Sequence, residues 1–253
     1  MTDAALTRDA FLGGRLSILQ PESGYRAGID PVLLAASVAA KPGQSVLELG
    51  CGVGVAILCL AARVAGLTLT GVELQPDYAD LAQRNAREND VSLDVAVADL
   101  ADLPSDLRQC RFDHVIANPP YFDRRHGPDA SNPGREAALG EATPLAVWLD
   151  VARRRLVDGG TLTLIQRIDR LPDCLSALDH RMGSVTVRPL SARMGRSPEV
   201  FLLRASKGGR ARFRLLAPIH LHAGSAHKDG PKDYAPEILD VLKNGAGLNS
   251  FAS

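Results

Sequence analysis

The chain has 253 residues, 45% of them apolar and 23% charged, with 29 basic and 29 acidic side chains and a net charge of zero. These values exclude a disordered or low-complexity chain, and the length suits one large domain, or one domain with an appendage, that needs no staples. No apolar run reaches about 18 residues, and Met1 to Ala10 lacks the basic start and apolar stretch of a secretory signal, so neither a membrane span nor a leader is expected.

Residues 1–44 read as an N-terminal extension. Ser45 to Leu49 (SVLEL) is a short apolar run that enters a glycine-rich loop, so it reads as a buried strand. Val53 to Val64 reads as a helix, Leu67 to Val72 as a second strand, and Pro76 to Asn89 as a helix with Tyr78, Leu81 and Ala82 on one face. Leu93 to Val97 and Phe112 to Ala117 are the third and fourth strands. The fourth stops at Asn118-Pro119-Pro120.

Arg124 to Gly140 is polar and holds two glycines and two prolines besides, so a long irregular loop is expected. Thr143 looks like an N-cap with Pro144 at the first helical position. That helix runs to about Leu156 and ends before Gly159-Gly160. Thr161 to Gln166 is a fifth strand, and Leu171 to Arg181 a helix. Ser184 to Pro189 and Glu199 to Ala205 are two strands joined by a short link, which fits an antiparallel pair at a sheet edge. Residues 206–253 read as a basic tail with a helix from Pro236 to Lys243. Alternating strands and helices imply a parallel sheet covered on both faces. The organisation expected is an extension (1–44), a core (45–205) and a tail packed on it (206–253).

Cys51, Cys59, Cys110 and Cys174 form no C-x-x-C pair, so reduced thiols in a cytoplasmic protein are expected, without a zinc site. His220, His222 and His227 have too few acids nearby for a metal and read as surface residues. Between Val185 and Lys232 there are ten Lys and Arg against two acids, a local charge of +8. Such a segment on a neutral protein fits a polyanionic partner or a solvated face.

Two motifs carry chemistry. The first is Glu48-Leu49-Gly50-Cys51-Gly52-Val53-Gly54, between a strand and a helix. Glycines there let backbone approach a ligand at the position where open α/β sheets bind one. The spacing misses the dinucleotide G-x-G-x-x-G by one residue. Glu73, 23 residues after Gly50 and at the end of the second strand, can accept hydrogen bonds from two ribose hydroxyls. Asp99 ends the third strand.

The second motif is Asn118-Pro119-Pro120-Tyr121. An exocyclic amine or carboxamide nitrogen is a poor nucleophile whose hydrogens need acceptors. The Asn118 side-chain oxygen and the Pro119 carbonyl can take them, aiming the nitrogen lone pair without a strong base. Tyr121 offers a face on which a flipped base can stack. Trp148 reads as core, and Cys51, with no adjoining base, has no nucleophilic role.

The first motif resembles that of class I S-adenosylmethionine-dependent methyltransferases. The second resembles the catalytic motif of aminomethyltransferases acting on adenine N6, cytosine N4 or glutamine amide. Tyr25-Arg26-Ala27-Gly28-Ile29-Asp30-Pro31-Val32-Leu33-Leu34-Ala35, Lys207-Gly208-Gly209-Arg210, Leu215-Leu216-Ala217-Pro218 and Tyr234-Ala235-Pro236-Glu237 are similar to segments of bacterial tRNA (adenine-N6)-methyltransferases, which modify adenosine beside the anticodon of a valine tRNA.

The resemblance implies a Rossmann-like sheet of seven strands, mostly parallel with an antiparallel edge strand. It also implies S-adenosylmethionine as cofactor and RNA as partner. The implied cofactor residues are Tyr25, Asp30, Glu48, Gly50, Cys51, Gly52, Gly54, Glu73, Leu74, Asp99, Leu100 and Asn118; the implied catalytic ones are Asn118, Pro119, Pro120 and Tyr121. Tyr25 also reads as a packed aromatic and Asp30 as an N-cap. Arg124, Arg125 and His126 suit a phosphate or a solvated loop. Two other readings stay open. One is release-factor glutamine methylation, although the 44 residues ahead of Ser45 are few for that family's helical domain. The other is small-molecule methylation.

Overall fold

The computed structural model describes residues 6–121, 143–224 and 233–252. The expected loop at 124–140 lies outside the described residues, with Arg124, Arg125 and His126, and so do His227, Lys228 and Lys232.

The first described elements are β1 (Leu6–Phe11) and β2 (Leu16–Pro21), an antiparallel hairpin forming a sheet of its own. Helix α1 (Asp30–Ser37) follows, with Pro31 in its first turn. The chain then alternates through β3 (Ser45–Leu49), α2 (Val55–Arg63), β4 (Thr68–Glu73), α3 (Pro76–Glu88), β5 (Asp94–Val97), α4 (Ser105–Gln109) and β6 (Phe112–Ala117). After it come α5 (Leu145–Arg155), β7 (Leu156–Arg167), α6 (Leu171–Ala177), β8 (Met182–Ser191) and β9 (Val200–Lys207). The short strands β10 (Arg214–Leu215) and β11 (Ile219–His220) precede α7 (Pro236–Asn244).

The main sheet has the order β10-β8-β9-β7-β6-β3-β4-β5, with β11 also on β8. Strands β3 to β7 pair in parallel. From β3 the chain winds one way to β4 and β5, then the other way to β6 and β7. The crevice between β3 and β6 is therefore the switch point where such sheets bind ligands.

Strand β3 illustrates how alternation builds the two faces. Val46 joins a core packed with α1, α2, the hairpin and α7. Leu47 and Leu49 join the opposite core, with Leu107, Trp148 and Phe201. Period 2 puts Glu48 on the Val46 side, facing α2. Helix α3 pins the hairpin through buried Asn85, whose Oδ1 accepts the Leu19 N–H at 2.8 Å and whose amide donates to the Leu19 and Val53 carbonyls.

Several expectations are corrected in detail. The late strands do pair antiparallel, but β9, the antiparallel member, lies between β7 and β8 and not at the edge. The β7–α6–β8 crossover leaves a slot one strand wide, and the short return from β8 fills it. Gly159-Gly160 is not a helix stop: β7 already begins at Leu156, and the glycines sit in an irregularity between Phe112 and His114 of β6. A side chain at residue 160 would meet the Asp113 carbonyl at 3.0 Å. Thr143 is not the N-cap. Pro144 takes that position, and the Thr143 carbonyl accepts the Trp148 indole N–H at 3.1 Å. Asp30 is not a cap either, being the first residue of its helix.

The basic window divides by role. Buried Arg193 pairs with Asp233. Arg188 donates to the carbonyls of Ala217, Ser250 and Ala252. Arg204 lies 4.6 Å over the Phe251 ring, and Lys207 donates to the Leu156 carbonyl at 2.8 Å. Arg196, Arg210, Arg212 and Arg214 are exposed. His220 bonds Ser191 and His222 stacks on Tyr234, so neither is a plain surface residue. Among the described residues no helix is long and apolar enough to cross a membrane.

Candidate active site

The loop after β3 is shaped by contacts on both sides. Gly50 has φ +62°, and a Cβ there would come within 2.4 Å of the Trp148 ring, so only glycine fits. The Cys51 N–H donates to the Val72 carbonyl at 2.9 Å. The Gly52 N–H donates to Glu73 Oε2, and the Gln75 N–H to Glu73 Oε1, each at 2.9 Å. One carboxylate thus joins the ends of β3 and β4. Burial pushes that carboxyl up, against the pull of the backbone N–H groups it accepts.

Glu48 lies behind the loop. Its Oε2 accepts the Ile57 N–H at 3.0 Å, satisfying one of the free donors in the first turn of α2, whose N-cap is Gly54 and has no side chain to do so. Burial pushes Glu48 well up, and the Glu73 charge adds to the shift. Cys51 packs beneath Gly71 and is buried; burial and the same two carboxylates raise its thiol far from reactivity.

A pocket opens at the switch point. Its walls include Tyr25, Gly50, Gly52, Glu73, Leu74, Asp99, Leu100, Asn118, Pro119, Pro120 and Tyr121. The pocket brings these expected residues together. It does not include Asp30, Glu48, Cys51 or Gly54, which support it from behind. Sequence reasoning missed Val72, Gln75, Tyr78, Ala98, Thr143 and Trp148 in the walls. Gln75 and Tyr78 begin the helix after Glu73, and that proximity was the available signal. Trp148 comes from a helix far along the chain, and nothing local marks it.

Asp99 stands at the rim and accepts the Ala101 N–H at 2.8 Å. Leu74 is 47% exposed while lining a pocket, which leaves an apolar surface for a flat ring. Among the described lining residues none is Lys, Arg or His. Carboxylates and aromatic rings without a cation suit a positively charged ligand and disfavour a pyrophosphate.

The Asn118 segment closes the pocket. Asn118 Oδ1 is buried and, among the described residues, has no hydrogen-bond partner. Leaving such an acceptor empty costs about 1–3 kcal/mol, which a ligand donor would recover. The Tyr121 hydroxyl donates to Asp30 Oδ2, so α1 anchors the ring. Burial raises both groups, Tyr121 strongly. The Tyr25 hydroxyl is pushed up to about 12 by burial, then by Asp30 and Glu48, with the Asn118 side chain opposing. Gln166 donates to the Pro119 and Pro120 carbonyls at 3.1 and 3.3 Å, which leaves the Pro119 carbonyl one lone pair for a further donor.

Residues 28–188 match the methyltransferase small domain family. The chain belongs to that family. This methyltransferase is 34% identical over 196 residues to a Porphyromonas gingivalis protein named tRNA1(Val) (adenine(37)-N6)-methyltransferase, a match covering 74% of this chain and 73% of that one. An Actinobacillus succinogenes protein of the same name is 34% identical over 161 residues, covering 62% and 67% of the two chains. A solved structure of a predicted O-methyltransferase from Agrobacterium tumefaciens superposes with TM-score 0.70 at 26% identity, covering 87% of this chain and 98% of that one. A Thermus thermophilus 16S rRNA N2 G1207 methyltransferase, solved with AdoMet and guanosine, gives 0.55 at 21% identity, covering 80% and 50%. The methyltransferase fold is the class I, Rossmann-like one, and the methyl donor is S-adenosylmethionine.

The Glu48 shift has a measurable sign. A buried acid with a raised value keeps its proton in the folded state where the unfolded chain has lost it, so stability falls as pH rises through that interval. Relative to Glu48→Gln, the wild-type methyltransferase therefore gains stability as pH drops from neutrality into the ordinary glutamate range. Urea unfolding of both proteins across that range checks this. A difference independent of pH would show that Glu48 holds no extra proton.

Proposed function

We propose that this methyltransferase modifies adenine N6 in a structured RNA of the tRNA class. The observation that carries the reading is the buried, unpartnered Oδ1 of Asn118 on the pocket wall, beside two prolines and Tyr121. The naming of the curated relatives gives the same acceptor.

The residues present fit S-adenosylmethionine. Its sulfonium suits a pocket with carboxylates and aromatic rings and no lining cation among the described residues. Glu73 would take the ribose hydroxyls, Leu74 and Leu100 would flank the adenine with Asp99 at its edge, and the Gly50–Gly52 backbone would border the amino-acid end. Bound there, S-adenosylmethionine supplies an electrophilic methyl group. The N-terminal extension closes this side through Tyr25.

The chain's own residues then orient the acceptor. Asn118 Oδ1 accepts one amine hydrogen, and the Pro119 carbonyl, through its second lone pair, accepts the other. Both draw the nitrogen out of conjugation and point its lone pair at the methyl group. Tyr121, fixed by Asp30, stacks on the extruded base. A hydroxyl acceptor is commonly deprotonated as it attacks, whereas the amine gives up its proton after the methyl group has arrived; Glu73 and Asp99 are the lining carboxylates, and the described lining residues include no His or Lys.

Incubation with methyl-labelled S-adenosylmethionine and, separately, bulk tRNA, ribosomal RNA and cell protein tests the acceptor. Label in N6-methyladenosine from tRNA is expected. Label in protein glutamine would move the enzyme to the release-factor class. Asn118→Ala is expected to abolish turnover while cofactor affinity in calorimetry stays near wild type; collapsed affinity with surviving turnover would refute the role given to Asn118.

The exposed arginines 210, 212 and 214 would grip phosphates beyond the site. The register sets Gly183, which Gly209 touches, at the end of β8 away from Leu190, and Leu190 is level with Val200 and Arg167 beside the site. Only a large polyanion reaches both places. Replacing all three with alanine should reduce the slope of log affinity for tRNA against log salt by about two. An unchanged slope would assign the RNA to another face.

A further inference from the structure

The catalytic segment has a mechanical problem that its own sequence creates. Residues 119 and 120 are both prolines, and neither has an N–H. Their carbonyls must be aimed accurately, yet the segment has no donor at either position with which to brace its bend. The brace comes from the next strand. Gln166, fully buried near the end of β7, donates from one nitrogen to the Pro119 carbonyl at 3.1 Å and the Pro120 carbonyl at 3.3 Å. Consecutive carbonyls in an extended chain point opposite ways; here two converge on one amide, so the amide holds a bend.

The orientation of that amide is dictated by its surroundings. Gln166 Oε1 accepts the Arg167 N–H at 2.8 Å. A flipped amide would set its oxygen against two carbonyl oxygens and its NH2 against an N–H. The donor therefore faces the prolines by necessity.

We propose that Gln166 is a positioning residue for methyl transfer: its amide occupies one lone pair of the Pro119 carbonyl and sets the direction of the other. The proposal rests on the reading of that carbonyl as an acceptor for the substrate amine. A misplacement of about 1 Å at a reacting group can cost on the order of 100-fold in rate, and one untethered peptide plane can tilt that far. Gln166 itself does not line the pocket, and the one contact it aims is at the reacting nitrogen, so the effect falls on kcat.

Two variants test it. Gln166→Met keeps the volume and removes the donor. Gln166→Glu keeps the shape and donates only when protonated, which burial favours. Turnover is measured on whichever acceptor the wild type labels, cofactor affinity by calorimetry, and folding by thermal melting.

For Gln166→Met, kcat should fall about 10- to 100-fold, with KM and cofactor affinity within about threefold of wild type. For Gln166→Glu, kcat should be low at alkaline pH and recover towards wild type as pH falls, a gain absent from the wild type and from Gln166→Met. A Gln166→Met kcat within about twofold of wild type, a loss shared equally by cofactor affinity, or a Gln166→Glu profile parallel to wild type would each overturn the proposal. If Gln166→Met does not fold, the Gln166→Glu profile decides alone. The identity of the wild-type product judges the acceptor separately: label away from adenine N6 refutes that reading, while the variant profiles still judge Gln166.

Discussion

The Glu73 carboxylate is the point at which the two halves of the pocket are joined. It accepts the Gly52 N–H from the loop after β3 and the Gln75 N–H at the start of α3. Backbone groups at strand ends have lost their ladder partners and must be satisfied by something. Here one acidic side chain satisfies two of them, and the turns on either side take their shape from it. Glu48 does the equivalent from behind by accepting the Ile57 N–H. The glycines make the loop possible sterically, and the two carboxylates make it definite.

Much of this was legible in the sequence because the deciding interactions are local. SVLEL followed by glycines announces a buried strand and a ligand loop, and FDHVIA followed by Asn-Pro-Pro-Tyr announces a strand end with a rigid acceptor pair. Glu73 and Asp99 are found by counting strands. What was not legible depends on elements that meet only in three dimensions. Gln166 is one amide at the end of an apolar strand, and its meaning lies in β7 being the neighbour of β6. Trp148 read as core, and it is buried, yet its ring also forms a pocket wall and forbids a side chain at Gly50. Gly159-Gly160 read as a helix stop because glycine signals breaks of several kinds; the register shift against β6 and the close approach of the Val157 and Asp113 carbonyls to residue 160 identify this one.

The basic window shows the same limit for charge. Counting gives +8 and a polyanion. The structure divides the cations into those that hold the fold and those that face solvent. Arg188 and Arg193 spend their donors on backbone carbonyls and a buried aspartate. Desolvation lowers the Arg188 and Arg204 guanidinium groups, and the nearby Arg214 charge lowers them further. Net charge is thus a poor measure of the field such a segment presents, since part of it is structural.

Tyr121 is fastened to Asp30, and Asp30 begins α1. The far end of that helix is held by residues more than 200 positions later: the Ala36 carbonyl accepts the Leu248 N–H at 2.8 Å, and the Ser37 and Ser250 hydroxyls bond at 2.7 Å. These partners appear on the ribosome last among the elements described. Arg63 grips the same end through the Ala35 and Val38 carbonyls, and α1 also packs against α2 and β7, so the segment around Ser250 adds a second clasp to a helix that the sheet layer already seats. The ring against which a substrate would stack is thus seated on a helix clasped both by its neighbour in sequence and by the far later part of the chain.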